Sequence, residues 1–184
     1  MKKFSLISWI VVLTFVLFGC SQTSKSTDKT VSVTEQTKEN VMNVELFLNF
    51  DGNCREAVEF YAKVFKSEVS NLMTYGEAPA DPNYPIAEED KEKVCYAGVK
   101  IGNIMLMCMD MPSGMPLIVG NNVTPTVSVC DKQEVERLFN ELKVGGEVYM
   151  ELQQTFFSEL YGMLKDKYGV IWHISHYVPQ ECNK

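Results

Sequence analysis

Residues 43–69 read NVELFLNFDGNCREAVEFYAKVFKSEV, and residues 122–148 read NVTPTVSVCDKQEVERLFNELKVGGEV. Both stretches begin with an alternating apolar run that ends in a polar turn holding an aspartate, Asp51 or Asp131. In both, apolar residues then recur at i, i+3, i+4 and i+7, which places one apolar stripe of a helix against a sheet. The chain beyond residue 42 therefore predicts one module that occurs twice, and a duplicated module usually builds a cleft between its copies.

Each copy predicts a strand, a helix and three further strands. The predicted helices are 53–66 and 131–143, and the strands that follow them are 67–75, 93–101, 103–111, 147–156, 159–166 and 170–177. Gly102-Asn103 is a short hairpin signal, and the proline-containing polar segment 76–90 predicts a loop. Because the strands within each half are local in sequence, we expect an α+β fold in which paired βαβββ modules form a cupped mixed sheet.

The N-terminus predicts an export signal. Two lysines precede an apolar run, 4–18, that is shorter than the roughly 20 residues a membrane-spanning helix needs. The run ends in Leu-Phe-Gly-Cys, which resembles a bacterial lipobox, so we expect Cys20 to carry a lipid anchor on the extracytoplasmic side of the cell membrane. An uncleaved N-terminal anchor with an incidental cysteine is the alternative.

The composition of residues 21–42 predicts a tether. This segment is rich in Ser, Thr, Lys and Gln and has no apolar period, so it cannot bury enough surface to offset the entropy of ordering. We therefore predict three parts: 1–20 as a lipoprotein signal peptide ending at the lipidated cysteine, 21–42 as a flexible tether, and 43–180 as the folded domain.

Charge and cysteine usage exclude two classes of function. The net charge is −7 and the only arginines are Arg55 and Arg137, so the basic stripe of a nucleic-acid-binding protein is missing. The cysteines form no C-x-x-C pair and no zinc-type spacing, and we expect most of them to be buried free thiols. Cys54, beside Arg55 at a predicted helix start, is a candidate nucleophile, although a packing role is favoured.

Four segments together carry a family resemblance: LNFDGNCREAVEFYAKVF, LMTYGEAPA, EEDKEKVCYAGVKIGNIMLM and LQQTFFSELYGMLKDKYGVIW. They resemble the PhnB-like branch of the vicinal oxygen chelate superfamily, which contains glyoxalase I, fosfomycin and bleomycin resistance proteins and extradiol dioxygenases. The resemblance covers 43–177 and implies a glyoxalase-like fold and a homodimer. Some members of the branch are named demethylubiquinone methyltransferases, but this chain has no glycine-rich loop of the dinucleotide-binding type.

The resemblance also implies where a divalent metal would bind in that superfamily. The four matching positions fall near Val44, Met107, Thr124 and His173, and His173 is the one good ligand among them. Valine cannot coordinate, methionine is too soft for the hard metals concerned, and threonine rarely serves alone. A shift of one residue would add Glu45 as a second ligand. We therefore expect no resident metal or other cofactor.

The polar and aromatic residues of the last strands supply the remaining candidates. We predict that His173, Gln153, Trp172 and Met107 contact a ligand. His173 and His176 are three apart on a strand and should face opposite sides. The methionines at 105, 107, 109, 111 and 115 could line an adaptable pocket, but ordinary core packing is favoured for them, as it is for Trp172.

Two functions of different classes remain open. The protein could bind a small, largely apolar molecule without a metal, as a surface-anchored lipoprotein. Alternatively, it could be a metal-dependent lyase, isomerase or dioxygenase in which a divalent metal polarises neighbouring substrate oxygens. The missing metal ligands favour binding.

Overall fold

The computed structural model describes residues 44–178, which lie within one compact unit, 42–184. The first module contains β1 (Leu46–Phe50), α1 (Cys54–Val64), β2 (Val69–Thr74), a short 3₁₀ helix (Glu88–Asp90), β3 (Val94–Ile101) and β4 (Ile104–Asp110). The second contains β5 (Thr126–Val129), α2 (Lys132–Leu142), β6 (Glu147–Gln153), β7 (Tyr161–Lys165) and β8 (Ile171–His176). Every predicted helix and strand is present, with shifted ends.

The two modules have the same topology. One four-stranded sheet has the order β1-β4-β3-β2 and the other has the order β5-β8-β7-β6. In each sheet the first strand pairs in parallel with the last, and the remaining pairs are antiparallel. This arrangement confirms the predicted α+β fold with two βαβββ modules.

The helices cover one face of each sheet because their apolar stripes match the alternation of the strands. Buried residues of α1 include Ala57, Val58 and Tyr61, and those of α2 include Val135, Leu138, Phe139 and Leu142. They pack with the strand residues that point the same way, Ala97, Val99, Leu106, Cys108, Leu164, Trp172 and Ile174. The alternate strand residues, on the opposite faces, have no helix over them.

Asp166 joins the two modules. Its carboxylate is 2% exposed and accepts hydrogen bonds from the Tyr61 hydroxyl (2.7 Å) and from Trp172 Nε1 (2.8 Å). Tyr61 lies on α1 in the first module, and Asp166 and Trp172 lie in the second. The Trp172 ring also contacts the rings of Tyr61 and Phe65, with centroids 5.5 Å apart in both pairs. The modules therefore share one core.

The N-terminal predictions lie outside the described residues. This applies to the signal peptide (1–20), the tether (21–42) and the lipid-bearing Cys20. Within residues 44–178, no helix is long and apolar enough to cross a membrane.

Candidate functional site

The candidate site lies on the helix-free face of the second sheet, where β6, β7 and β8 are neighbours. On β8, Trp172 and Ile174 are buried on the helix side, while His173 points the other way and is half-buried. His176 is on the helix side and its Nε2 lies 3.0 Å from the carbonyl oxygen of Cys130. The prediction that His173 and His176 face opposite sides is confirmed.

A short hydrogen bond fixes the His173 ring. The Tyr161 hydroxyl lies 2.6 Å from His173 Nδ1. Tyr161 is on β7, opposite Ser175 of β8 and Gln153 of β6, and His173 is opposite Met163 of β7. Residues opposite each other in neighbouring strands share a face, so β6, β7 and β8 bring Gln153, Tyr161, Met163 and His173 onto one surface.

Two phenylalanines extend this surface. Phe157 is 58% exposed, and its ring lies edge-on to Tyr161 with the centroids 5.0 Å apart. Phe156 is fully exposed and contacts Phe157 at the same centroid distance. The turn that carries them is held by Ser158, whose hydroxyl oxygen lies 2.9 Å from the carbonyl oxygens of both Leu160 and His176 and has one proton to donate between them. A fixed turn thus holds two rings in solvent beside the Tyr161–His173 pair.

The methionines of β4 occupy the helix-free face of the first sheet. Met105, Met107 and Met109 are half-buried and alternate with Leu106 and Cys108, which belong to the core. The expectation that these methionines are ordinary core residues is therefore wrong for these three, because the strand alternation turns them away from α1. By strand pairing, Met107 is the counterpart of His173: it lies opposite Phe47 of the parallel strand β1, as His173 lies opposite Thr126 of β5.

The four predicted ligand contacts do not all come together. His173 and Gln153 lie on the helix-free face of the second sheet, and Met107 on that of the first. Trp172 is 1% exposed, packs on the opposite face from His173 and donates to Asp166. The geometry gives Trp172 a place in the shared core and along a groove near β5, away from the other three.

A separate cavity of about 430 Å³ lies under the 76–90 loop. Tyr84 and Ile86 of the loop line one side, and Met109 and Met115 line the other. Tyr75 is also part of the lining and donates its hydroxyl to the carbonyl oxygen of Asp110 at 3.0 Å. This cavity is a second place where an apolar molecule could bind, and an experiment must distinguish it from the His173 surface.

The four positions that the superfamily uses for a metal do not fit one here. Val44 is 83% exposed in front of β1, Thr124 precedes β5, and Met107 offers a thioether. His173 supplies the one imidazole, and its Nδ1 is already bonded to Tyr161. Across residues 44–178, no group of three or more His, Cys, Asp or Glu side chains is placed to hold a metal ion. The donor set is unsuited to a hard divalent cation.

Cys54 is a packing residue. Its side chain is 0% exposed, and burial raises the pKa of the thiol far above its usual value, so the nucleophilic thiolate is disfavoured. Burial likewise raises the pKa of Cys108 to about 12. Cys54, Cys95 and Cys108 are free thiols, as expected, whereas Cys130 is disulfide-bonded.

Tyr161 is the site residue whose role sequence reasoning missed. It stands twelve residues before His173, and its partnership depends on the register of β7 against β8. The hairpin turn at 167–169 could have indicated the register of β7 against β8. Counting outward from the turn pairs Leu164 with Trp172 and Tyr161 with Ser175. Ser175 lies on the same face of β8 as His173, so Tyr161 does too.

Comparisons with known proteins agree with this fold. Residues 42–175 match the family model described as 3-demethylubiquinone-9 3-methyltransferase. The chain is 31% identical to protein YjdN of Escherichia coli over 144 matched residues. The match covers 73% of this chain and 95% of YjdN.

Solved structures extend the comparison. PA1353 of Pseudomonas aeruginosa is 30% identical with a TM-score of 0.67, covering 74% of this chain and 98% of its own. A PhnB protein of Bacillus cereus is 26% identical with a TM-score of 0.61, covering 74% and 100%. The fosfomycin resistance protein FosX of Listeria monocytogenes shares the fold, at 13% identity, a TM-score of 0.51 and coverage of 76% and 96%. The chain therefore belongs to the family described as 3-demethylubiquinone-9 3-methyltransferase, the PhnB-like branch of the vicinal oxygen chelate superfamily.

Proposed function

We propose that this protein binds a small, largely apolar molecule without a metal, on the helix-free face of its second sheet. The observation that carries the proposal is the 2.6 Å contact between Tyr161 and His173, placed beside the exposed ring of Phe157. Ligand sites in proteins are mostly apolar with a few oriented polar groups. Here Met163, Phe156 and Phe157 supply the apolar part, His173 and Gln153 supply the polar groups, and Tyr161 orients His173.

The exposure of the phenylalanines supports this reading. Single apolar side chains on a surface are ordinary, but contiguous exposed apolar groups mark binding surfaces. Phe156 and Phe157 are adjacent and exposed, with their rings edge-on to each other, and Ser158, next to them in the chain, is hydrogen-bonded to the backbone of β8. A planar apolar molecule lying against Phe157 would remove apolar surface of this pair from water.

The alternative of a metal-dependent lyase, isomerase or dioxygenase needs several converging oxygen or nitrogen donors. Among the matching positions of this chain, only His173 supplies such a donor. Adding Glu45 would give a second and still leave the set incomplete. Methyl transfer, which the family name describes, has no supporting donor-binding motif in the sequence. Metal-free binding is the function that these residues support best.

Equilibrium dialysis of the chain without residues 1–20 against fluorene tests the proposal. Fluorene is planar and apolar and carries no polar atom. We expect saturable binding with one site per chain, weakened about threefold to tenfold in Phe157→Ala, because one aromatic contact is worth about 0.5–1.5 kcal/mol.

Tyr84→Ala is the matched control, since Tyr84 is also an exposed aromatic residue on a loop, at 70% exposure, but lines the cavity under the 76–90 loop. We expect it to leave the affinity unchanged. A loss in Tyr84→Ala and none in Phe157→Ala would move the site to that cavity. Binding that never saturates would refute the function.

We also propose that the protein is anchored to the extracytoplasmic side of the cell membrane through a lipid on Cys20. The sequence supports this with its charged start, apolar run 4–18 and Leu-Phe-Gly-Cys ending. Cells fed a clickable palmitate analogue should label the wild-type chain and leave Cys20→Ser unlabelled, with Cys95→Ser as the labelled control. Label that persists in Cys20→Ser would exclude this anchor.

Homodimer formation belongs to the same proposal. β1 and β5 stand at the ends of their sheets, and unpaired strand edges are places where another chain can add. Sedimentation of the chain without residues 1–20 should give the mass of two chains.

A further inference from the structure

The Tyr161–His173 contact determines which hydrogen-bonding group of His173 remains for a ligand. A phenol has one proton to donate, and His173 Nδ1 lies 2.6 Å from the Tyr161 hydroxyl oxygen. If Nδ1 carried the ring proton, the hydroxyl would accept from it and would turn its own proton to solvent, because the described residues offer that hydroxyl no other partner. Donation by Tyr161 keeps the phenol proton in the short contact and leaves the proton of the neutral ring on Nε2.

His173 Nε2 is free to meet a ligand. Within residues 44–178, the only buried side-chain nitrogen or oxygen without a partner is Nδ1 of His176. His173 Nε2 makes no hydrogen bond to the described residues and is not a buried orphan, so it reaches solvent. An N–H donor held in a fixed direction beside apolar rings is suited to an acceptor oxygen on an otherwise apolar molecule.

We propose that the ligand is a planar aromatic molecule bearing a carbonyl oxygen, and that Nε2–H of His173 donates to that oxygen. The inference rests on the proposed function, since it names the chemical class taken by the same surface. Phe157 contacts the aromatic part of the ligand. Tyr161 is a positioning residue: it fixes the tautomer and the direction of the His173 ring and does not touch the ligand. The histidine that the fold family would give to a metal serves here as a hydrogen-bond donor.

A pair of probes separates this inference from the proposed function. 9-Fluorenone and fluorene have the same three fused rings, and only fluorenone carries a carbonyl oxygen. In equilibrium dialysis of the chain without residues 1–20, we expect fluorenone to bind about threefold to tenfold more tightly than fluorene, as one net hydrogen bond provides.

In His173→Phe, which keeps an aromatic ring and removes the donor, we expect the two affinities to become equal, because fluorenone loses its hydrogen bond. A circular dichroism spectrum equal to that of the wild type checks that the variant is folded. In Tyr161→Phe, we expect a reduced preference for fluorenone over fluorene, because the His173 ring is no longer oriented.

The ¹⁵N shifts of the His173 ring supply an independent readout. The wild-type neutral ring should show a protonated Nε2 and a bare Nδ1, and Tyr161→Phe should change this to a mixture of tautomers. Equal binding of the two probes by the wild type, a preference that survives His173→Phe, or a protonated Nδ1 would each overturn the inference. Failure of both probes to bind would instead refute the proposed function.

Discussion

At the residue scale, Asp166 is a buried carboxylate in which both oxygens accept hydrogen bonds from the protein. One oxygen accepts from the Tyr61 hydroxyl and Trp172 Nε1, and the other accepts from the backbone N–H groups of Tyr168 and Val170 at 2.9 and 3.0 Å. Each oxygen has two donors, so the bonding capacity of the carboxylate is filled by groups from both modules.

Asp166→Asn should destabilise the protein strongly. An amide keeps one acceptor oxygen and turns its NH₂ group toward two donors, whichever way it is oriented. Leaving two buried donors unsatisfied should lower the free energy of unfolding by about 3 kcal/mol. Urea unfolding followed by circular dichroism measures this value.

Glu151→Gln makes the same chemical change on an exposed position of β6 and should shift the free energy by no more than about 0.5 kcal/mol. Equal effects of the two substitutions would show that the Asp166 contacts do not hold the modules together.

The residues of the candidate site were only partly predictable. His173 was recognisable because histidine is one of the few side chains that can serve as donor, acceptor or metal ligand at neutral pH. The role of Tyr161 was not, because a tyrosine in an alternating strand carries no signal of its partner until the register is known. For Trp172 the sequence allows a ligand contact but favours core packing, and the alternation that exposes His173 does turn its neighbour into the core.

At the scale of the elements, the two helices begin in different ways. In α2 the side chain of Asp131, the residue before the helix, accepts from the Gln133 N–H at 2.9 Å. In α1 the corresponding residue, Asn53, makes no such bond. Instead Asp110, at the end of β4, accepts from the Cys54 N–H at 2.8 Å and from the Val94 N–H at 3.0 Å. A distant carboxylate thus caps α1.

The same substitution at both caps should therefore have unequal costs. Asp131→Asn keeps an acceptor for its one N–H, and Asn caps helices as well as Asp does, so the loss should be a few tenths of a kcal/mol, about 0.3. Asp110→Asn turns an NH₂ group toward one of two buried donors and should cost about 2 kcal/mol. Urea unfolding of the two variants measures the difference, and a larger loss at Asp131 would contradict the capping role of Asp110.

The ends of the elements deviate from prediction where side chains intervene. The apolar alternation favours β6 over 147–156 and β7 from 159, but the strands end at Gln153 and begin at Tyr161. Ser158 causes the difference: its backbone N–H donates to the Thr155 hydroxyl, and its own hydroxyl donates to the His176 carbonyl oxygen. A serine hydroxyl can form hydrogen bonds in place of those between strands. A hydrophobic pattern gives little indication of where this happens.

At the scale of the whole molecule, the duplicated pattern was enough to predict the fold, because two copies of a strand–helix–three-strand pattern constrain each other. It did not predict how the modules join. The joint consists of side chains from unrelated places in the repeat, such as Tyr61 with Asp166, and of an ion-pair cluster between α2 and the end of α1. A repeat predicts the fold of each module. It does not predict the contacts between modules, because these come from residues at positions that are not equivalent in the two copies.

That cluster makes the joint sensitive to acid. Glu134 of α2 bonds to Arg137 (2.6 Å) and to Lys66 (3.2 Å), and Arg137 also donates to the Val64 carbonyl oxygen at 2.9 Å. The hydrogen bond from Arg137, reinforced by Lys66, lowers the pKa of Glu134 from 4.5 to about 2. The folded protein thus keeps Glu134 ionised at pH values where the unfolded chain would protonate it.

The stabilisation by Glu134 should therefore be complete above pH 4.5 and should be lost as the pH falls toward 2. Glu134→Gln removes the ionisation. The difference in free energy of unfolding between the wild type and this variant, measured in urea at pH 6, 4 and 3, should shrink as the pH falls. The exposed substitution Glu151→Gln should give a smaller change over the same range. A difference that grew on acidification would mean that Glu134 titrates with a raised pKa, and that the cluster opposes the contact between the modules.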